Sequence, residues 1–67
     1  MKTLEVTDYN SGRVLDRIHL APDGSVTYDT GAGEPLIRNL VGAGLSESEA
    51  FEQRIGWSNG YVVSKLV

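Results

Sequence analysis

Residues 15–28 read Leu15-Asp16-Arg17-Ile18-His19-Leu20-Ala21-Pro22-Asp23-Gly24-Ser25-Val26-Thr27-Tyr28. Two alternating stretches flank a three-residue loop that ends in Gly, which is the pattern of a β-hairpin. Pro22-Asp23-Gly24 has the composition of a type I turn closed by a left-handed glycine, with a G1 bulge. Pro22 suits the first turn position because its φ is already near the required value. The turn sets the register: Ala21 faces Ser25, Leu20 faces Val26 and Ile18 faces Tyr28.

Upstream the same device recurs. Asn10-Ser11-Gly12 separates the alternating segment Thr3 to Tyr9 from Arg13 to Leu20. Read the same way, Tyr9 faces Arg13, Val6 faces Asp16 and Leu4 faces Ile18. The two registers are set independently, yet they agree. Leu4, Val6, Val14, Ile18, Leu20, Val26 and Tyr28 share one face. On the other face Arg17 lies between Glu5 and Asp29 and is expected to pair with both. His19 lies there between Thr3 and Thr27. A slip of one residue would send every side chain to the wrong face. Residues 3–30 therefore predict a three-stranded antiparallel meander.

After Thr30 the period becomes helical, with Leu36, Ile37, Leu40 and Val41 on one side. Pro35 belongs in the first turn and Glu34 there suits the helix dipole. Gly42-Ala43-Gly44 stops this helix. Ser46-Glu47-Ser48-Glu49 is a capping box that starts a second one, with Ala50, Phe51 and Ile55 facing inward. Gly56 ends it, and Trp57 is expected to pack back against Phe51. Phe51, Ile55, Leu40 and Ile18 are the predicted core. After Ser58-Asn59-Gly60 the chain enters a last strand, Tyr61 to Val67. The predicted order is β-β-β-α-α-β. This is one small α+β domain over residues 1–67, with two short helices on one face of the sheet.

Length and composition narrow the function classes. A chain of 67 residues with no Cys has no disulfide and one His, so no structural zinc set. Absence of Cys fits a reducing cytoplasm, the expected location. Met1-Lys2-Thr3-Leu4-Glu5 has no signal-peptide core, and no apolar run spans a membrane. Net charge is −3, with six basic residues interspersed among nine acids. That leaves no basic stripe for phosphates, so a nucleic-acid partner is not expected.

No catalytic, cofactor-binding or metal-ligating set emerges. Gly31-Ala32-Gly33 lacks the third glycine of a dinucleotide fingerprint, since position 36 is Leu36, and lacks the Gly-Lys-Ser/Thr of a P-loop. It reads as a strand-to-helix turn. His19 has Thr neighbours and no carboxylate directly opposite, so no triad forms by register. Asp16 is the anomaly, a carboxylate on the apolar face between Val6 and Thr30. It is expected to accept N–H bonds from a helix N-terminus or a loop, the rival being an acid of raised pKa in a pocket.

The last strand is apolar on both sides, with Tyr61, Val63 and Val67 on one and Val62 and Leu66 on the other. One side faces the helices. The other is exposed, buried against a second chain, or covered by a loop or a continuation of its own chain. Trp57, Tyr61, Val62 and Leu66 are the candidate interaction residues.

The segments Asp23-Gly24-Ser25-Val26-Thr27-Tyr28-Asp29-Thr30-Gly31 and Gly56-Trp57-Ser58-Asn59-Gly60-Tyr61 resemble small uncharacterised proteins of actinobacteria and their phages. The resemblance covers about two-thirds of the chain and implies a compact accessory protein of a phage or mobile element, with no activity and no functional residue to transfer. The expected function is that of a small non-enzymatic protein that binds a protein partner or assembles with itself. The alternative is a small regulatory protein associated with nucleic acid.

Overall fold

The computed structural model describes residues 1–67. Strands β1 (Lys2–Asp8), β2 (Val14–Leu20) and β3 (Val26–Tyr28) form the meander. Helices α1 (Glu34–Gly42) and α2 (Glu47–Gln53) follow, then strands β4 (Trp57–Ser58) and β5 (Val62–Leu66). The sheet is antiparallel with the order β3-β2-β1-β5-β4. The fold is thus α+β, with five strands rather than the four expected. The additional strand is β4, whose Trp57 and Ser58 lie opposite Ser64 and Val63 of β5. Two residues carry no periodicity, so no sequence pattern marks them as a strand.

The β2–β3 register is the one that Pro22-Asp23-Gly24 dictates, with Ile18 opposite Tyr28 and Leu20 opposite Val26. Gly24 sits at φ 90° and donates its N–H to the Ala21 carbonyl. Between β1 and β2 the expected register holds at Leu4–Ile18, Glu5–Arg17 and Val6–Asp16, and then breaks. Thr7 faces Val14, which leaves Leu15 as the extra residue of a bulge. The first loop closes on Asp8 and Arg13 instead of Tyr9 and Arg13, with the Asp8 N–H donating to the Arg13 carbonyl at 2.8 Å. The cause is local. The Asp8 carboxylate accepts from the N–H groups of Asn10 and Ser11, both at 2.9 Å, and so begins the turn one residue early. Val14 consequently leaves the core face and is 40% exposed.

Leu4, Val6 and Ile18 from the sheet meet Ile37 from α1 and Ala50 and Phe51 from α2 in one buried cluster. Leu40 is only half-buried, and Ile55 is exposed. Ile55 lies past Arg54, the C-cap of α2, so it no longer follows the inward stripe of the helix. The capping box of α2 forms as its sequence requires. Ser46 Oγ accepts from the Glu49 N–H, and the Glu49 carboxylate accepts from the Ser46 N–H.

Asp16 is 2% exposed and fully satisfied. Its Oδ1 accepts from the N–H groups of Arg17 and Thr30, and its Oδ2 from that of Gly33, each at 2.8 Å. Gly33 is the N-cap of α1 and has no side chain to cap with. A carboxylate from β2 therefore caps the helix across the sheet-to-helix interface. Burial pushes this carboxyl's pKa up, but the donors of Thr30, Gly33 and Arg17 outweigh it and hold the pKa below the ordinary value. A Cβ on Gly33 would lie 2.9 Å from Ile18 Cδ1 and 3.1 Å from Asp16 Oδ2. The absence of a side chain is what lets α1 approach the sheet this closely.

Three outcomes follow, all measurable by urea unfolding. Ile18→Ala should cost about 2–5 kcal/mol, close to the whole stability of a domain this size. Gly33→Ala should cost about 1–3 kcal/mol through overpacking against Ile18. Asp16→Asn should cost about 1–3 kcal/mol, because an amide cannot accept from all three N–H groups. The lowered pKa of Asp16 fixes the sign of its pH dependence. The stability it supplies is complete above the ordinary carboxylate pKa and is lost as pH falls through the lowered value. The wild-type midpoint should fall on acidification below about pH 4. The midpoint of Asp16→Asn should fall less, retaining only the slope from Asp8, Asp23 and Glu49, whose pKa values local N–H and hydroxyl donors also lower.

Candidate functional site

Both helices cover the same face of the sheet, so the other face is open. Its side chains lie in rows. Thr27, His19 and Thr3 form one, and Arg17, Glu5 and Lys65 the next. Val14, Thr7, Val63 and Ser58 form a third. Arg17 pairs with Glu5 at 3.2 Å. It does not also pair with Asp29, as the register suggested. Asp29 instead reaches diagonally to His19, its Oδ1 lying 2.8 Å from Nε2, while His19 Nδ1 lies 2.9 Å from Thr3 Oγ1. Directly opposite positions do not show this partner, because diagonal neighbours also lie within reach of long side chains.

A hydroxyl, an imidazole and a carboxylate in sequence have the order of a triad. The chemistry also needs a place where a reacting atom sits near both the nucleophile and oxyanion donors. No cavity opens over Thr3 or His19. What the three groups do is tie β1 and β2 to the end of β3. No three His, Asp or Glu side chains converge as metal ligands. On the open face Glu5 lies between Arg17 and Lys65; on the helix side Lys2 pairs with Glu52 and Arg38 with Glu34. No helix is long and apolar enough to cross a membrane.

The four residues singled out near the C-terminus are not one patch. Val62 packs against the core cluster. Trp57 stands outside that cluster and is covered by the Arg54 guanidinium, 4.1 Å from its ring centroid, instead of packing on Phe51. Arg54 is held there by donating Nε–H to the Leu36 carbonyl. Leu66 lies on the helix side of β5, and Tyr61 on the open side. β5 itself is flanked by β1 and β4, so its own chain covers part of the edge that the sequence left bare. Tyr61 meets an unexpected neighbour. The Tyr9 N–H donates to the Tyr61 carbonyl, which extends the β1–β5 pairing by one step beyond Asp8, and both tyrosines are exposed.

The other edge of the sheet holds a groove that the sequence did not single out. Ala21 N–H donates to the Ser25 carbonyl, and Asp29 N–H to the Arg17 carbonyl. The alternation of an antiparallel ladder then directs Ser25, Thr27 and Asp29 toward β2, and leaves the N–H and C=O of Val26 and Tyr28 facing outward. The side chains of Val26 and Tyr28 point to the helix face, opposite Leu20 and Ile18. There they and α1 enclose a groove of about 500 Å³, with Ile37 and Val41 completing its apolar floor. Glu34, Arg38 and Glu47 stand at its rim. Arg38 and Glu34 form an exposed i,i+4 pair at 3.5 Å, while Glu47 has no cationic partner. Both carboxylates are legible in the sequence only as first-turn acids of their helices. Their convergence depends on how α1 and α2 dock.

No protein family, curated protein or solved structure matches this chain. Its chemistry has to be read from the surfaces themselves.

The groove has an electrostatic reporter. Burial first, and then the Glu47 and Glu34 carboxylates, raise the Tyr28 phenol above its ordinary value of 10.0, with Arg38 partly opposing them. Titration of the Tyr28 Cζ resonance by ¹³C NMR should show this, and Glu47→Gln should move the midpoint back down. A Tyr28 midpoint unchanged by Glu47→Gln would mean that the carboxylate does not face the hydroxyl.

Proposed function

We propose that this chain is a small non-enzymatic protein-interaction domain, and that it takes an extended polypeptide segment along the free edge of β3. The observation that carries the reading is the coincidence of two features. The unpaired backbone groups of Val26 and Tyr28 border a groove whose floor is apolar. Strand addition uses both, main-chain bonds for affinity and a pocket for alternate side chains. β3 is an edge strand of three residues, short enough not to template its own aggregation. The nucleic-acid alternative finds no support on the open face, where Arg17 and Lys65 flank Glu5 and form no continuous basic stripe.

The test is selection from displayed random heptapeptides, followed by titration of ¹⁵N-labelled protein. Selected peptides should shift the Val26 and Tyr28 amides most. Val41→Asn, which places a polar amide on the groove floor at an exposed site of α1, should weaken them about tenfold, because a bound strand would bury the amide without a partner. Peptides whose shifts fall elsewhere would overturn the reading.

Self-association is the second reading, favoured by Tyr9 and Tyr61, which are joined through their backbones and are 57% and 79% exposed. Tyr is enriched at the energetic centres of interfaces. Val62 supports the core, so Val62→Lys would test folding. Tyr61→Ser tests the contact. If the reading holds, wild type should sediment as a reversible dimer at high concentration and Tyr61→Ser as a folded monomer. A wild type that stays monomeric would remove it.

A further inference from the structure

We infer that the groove beside β3 selects a strand carrying Lys or Arg at the position that points into it. This rests on the strand-addition reading above and names the chemistry of the partner. Three observations lead to it. The floor, formed by Val26, Ile37 and Val41, is apolar and stands beside the edge where an added strand would lie. Glu47 ends at the rim with no cation of its own. Glu34 is matched only by Arg38, an exposed pair at 3.5 Å on one helix, which is weak and easily shared.

An apolar floor with an acidic rim is complementary to one type of side chain. Lys and Arg lay an aliphatic stem on apolar surface and keep a charged head at its margin. A strand added to β3 sends every second side chain to the helix face, the face of Val26 and Tyr28. The stem of such a residue covers the floor, and its head reaches Glu47, Glu34 and the Tyr28 hydroxyl. An acidic side chain in the same place meets two carboxylates against one cation, Arg38, which Glu34 already engages, and is disfavoured. A neutral one of equal length keeps the floor contact alone. Selection by charge is therefore a difference between partners, obtained from the same backbone pairing.

Three acetylated and amidated peptides test it: Thr-Val-Thr-Lys-Thr-Val-Thr, and the same chain with Met or Glu in place of Lys. Met keeps an unbranched stem of similar length without the charge. Titrated into ¹⁵N-labelled protein at low salt, all three should shift the Val26 and Tyr28 amides. The Lys peptide should bind about 3- to 10-fold more tightly than the Met peptide, and the Glu peptide more weakly than either. Added salt should narrow the spread. The double variant Glu34→Gln/Glu47→Gln, checked for unchanged melting, should abolish the preference for Lys over Met. Equal affinities with shifts at Val26 and Tyr28 would overturn the charge selection and leave strand addition standing. A Lys preference that survives the double variant would also overturn it, since the cation would then be held elsewhere. If no peptide shifts Val26 or Tyr28, strand addition itself fails and the inference falls with it.

Discussion

The carboxylate of Asp16 joins three parts of the chain at one buried point. It accepts from its own strand at Arg17, from the end of the meander at Thr30, and from the first turn of α1 at Gly33. A buried carboxylate with fewer donors would be costly, and three N–H groups without an acceptor would be equally so. Each side of the arrangement therefore requires the other. Gly33 completes it by having no Cβ to collide with Ile18. The seat of α1 on the sheet, and hence the width of the groove beside β3, depends on this one polar contact inside an otherwise apolar interface.

The bulge at Leu15 belongs to the same region. It lets Asp16 keep its inward place opposite Val6 while Val14 turns outward. The open face thereby gains an apolar margin around Tyr9, Tyr61 and Val63, separated from the helix side by the sheet. The rest of that face mixes the two signs of charge, with Glu5 between Arg17 and Lys65, and the Asp29 carboxylate hydrogen-bonded to the His19 ring. The two faces of a thin protein can then serve different ends. One holds the core and the groove, and the other offers a charge-balanced surface with two tyrosines at its end.

Local signals in the sequence were strong wherever a turn or cap fixed them. Pro22-Asp23-Gly24 determined the β2–β3 register, Ser46 and Glu49 determined the start of α2, and the inward Asp16 pointed to N–H donors from a helix or loop. The signal weakened where two local preferences competed. Asn10-Ser11-Gly12 matched a three-residue loop, but Asp8 captured two N–H groups and moved the turn. It vanished where the outcome depended on docking. Ile55 and Leu40 fit the helical stripe, yet α2 ends at Arg54 and the core is small. Glu34 and Glu47, thirteen residues apart in sequence, become neighbours only when both helices pack. Pairing of β5 with β1, and the two residues of β4, are likewise tertiary results with no local pattern behind them.

The two edges of the sheet differ in a way that bears on use. At the β4 end the turn to β5 satisfies itself, since Asn59 Oδ1 accepts from the Tyr61 and Val62 N–H groups and the Ser58 hydroxyl donates to the Val62 carbonyl, and only the backbone groups of Ser58 face outward, with no groove beside them. At the β3 end the flanking N–H groups are also taken, Ser25 by Asp23 and Thr30 by Asp16. Only the outward groups of Val26 and Tyr28 remain. Three or four backbone bonds at about 0.5–1.5 kcal/mol each come to a few kcal/mol. Association costs at least about 4 kcal/mol in lost translational and rotational freedom. Main-chain pairing on so short an edge therefore cannot hold an arbitrary strand, and this keeps the edge from joining others indiscriminately. A strand stays only if its side chains add what the backbone lacks, and the apolar floor with its unpaired carboxylate is the one place beside that edge where they can. The shortness of β3 thus makes the groove, and not the strand, the source of selectivity.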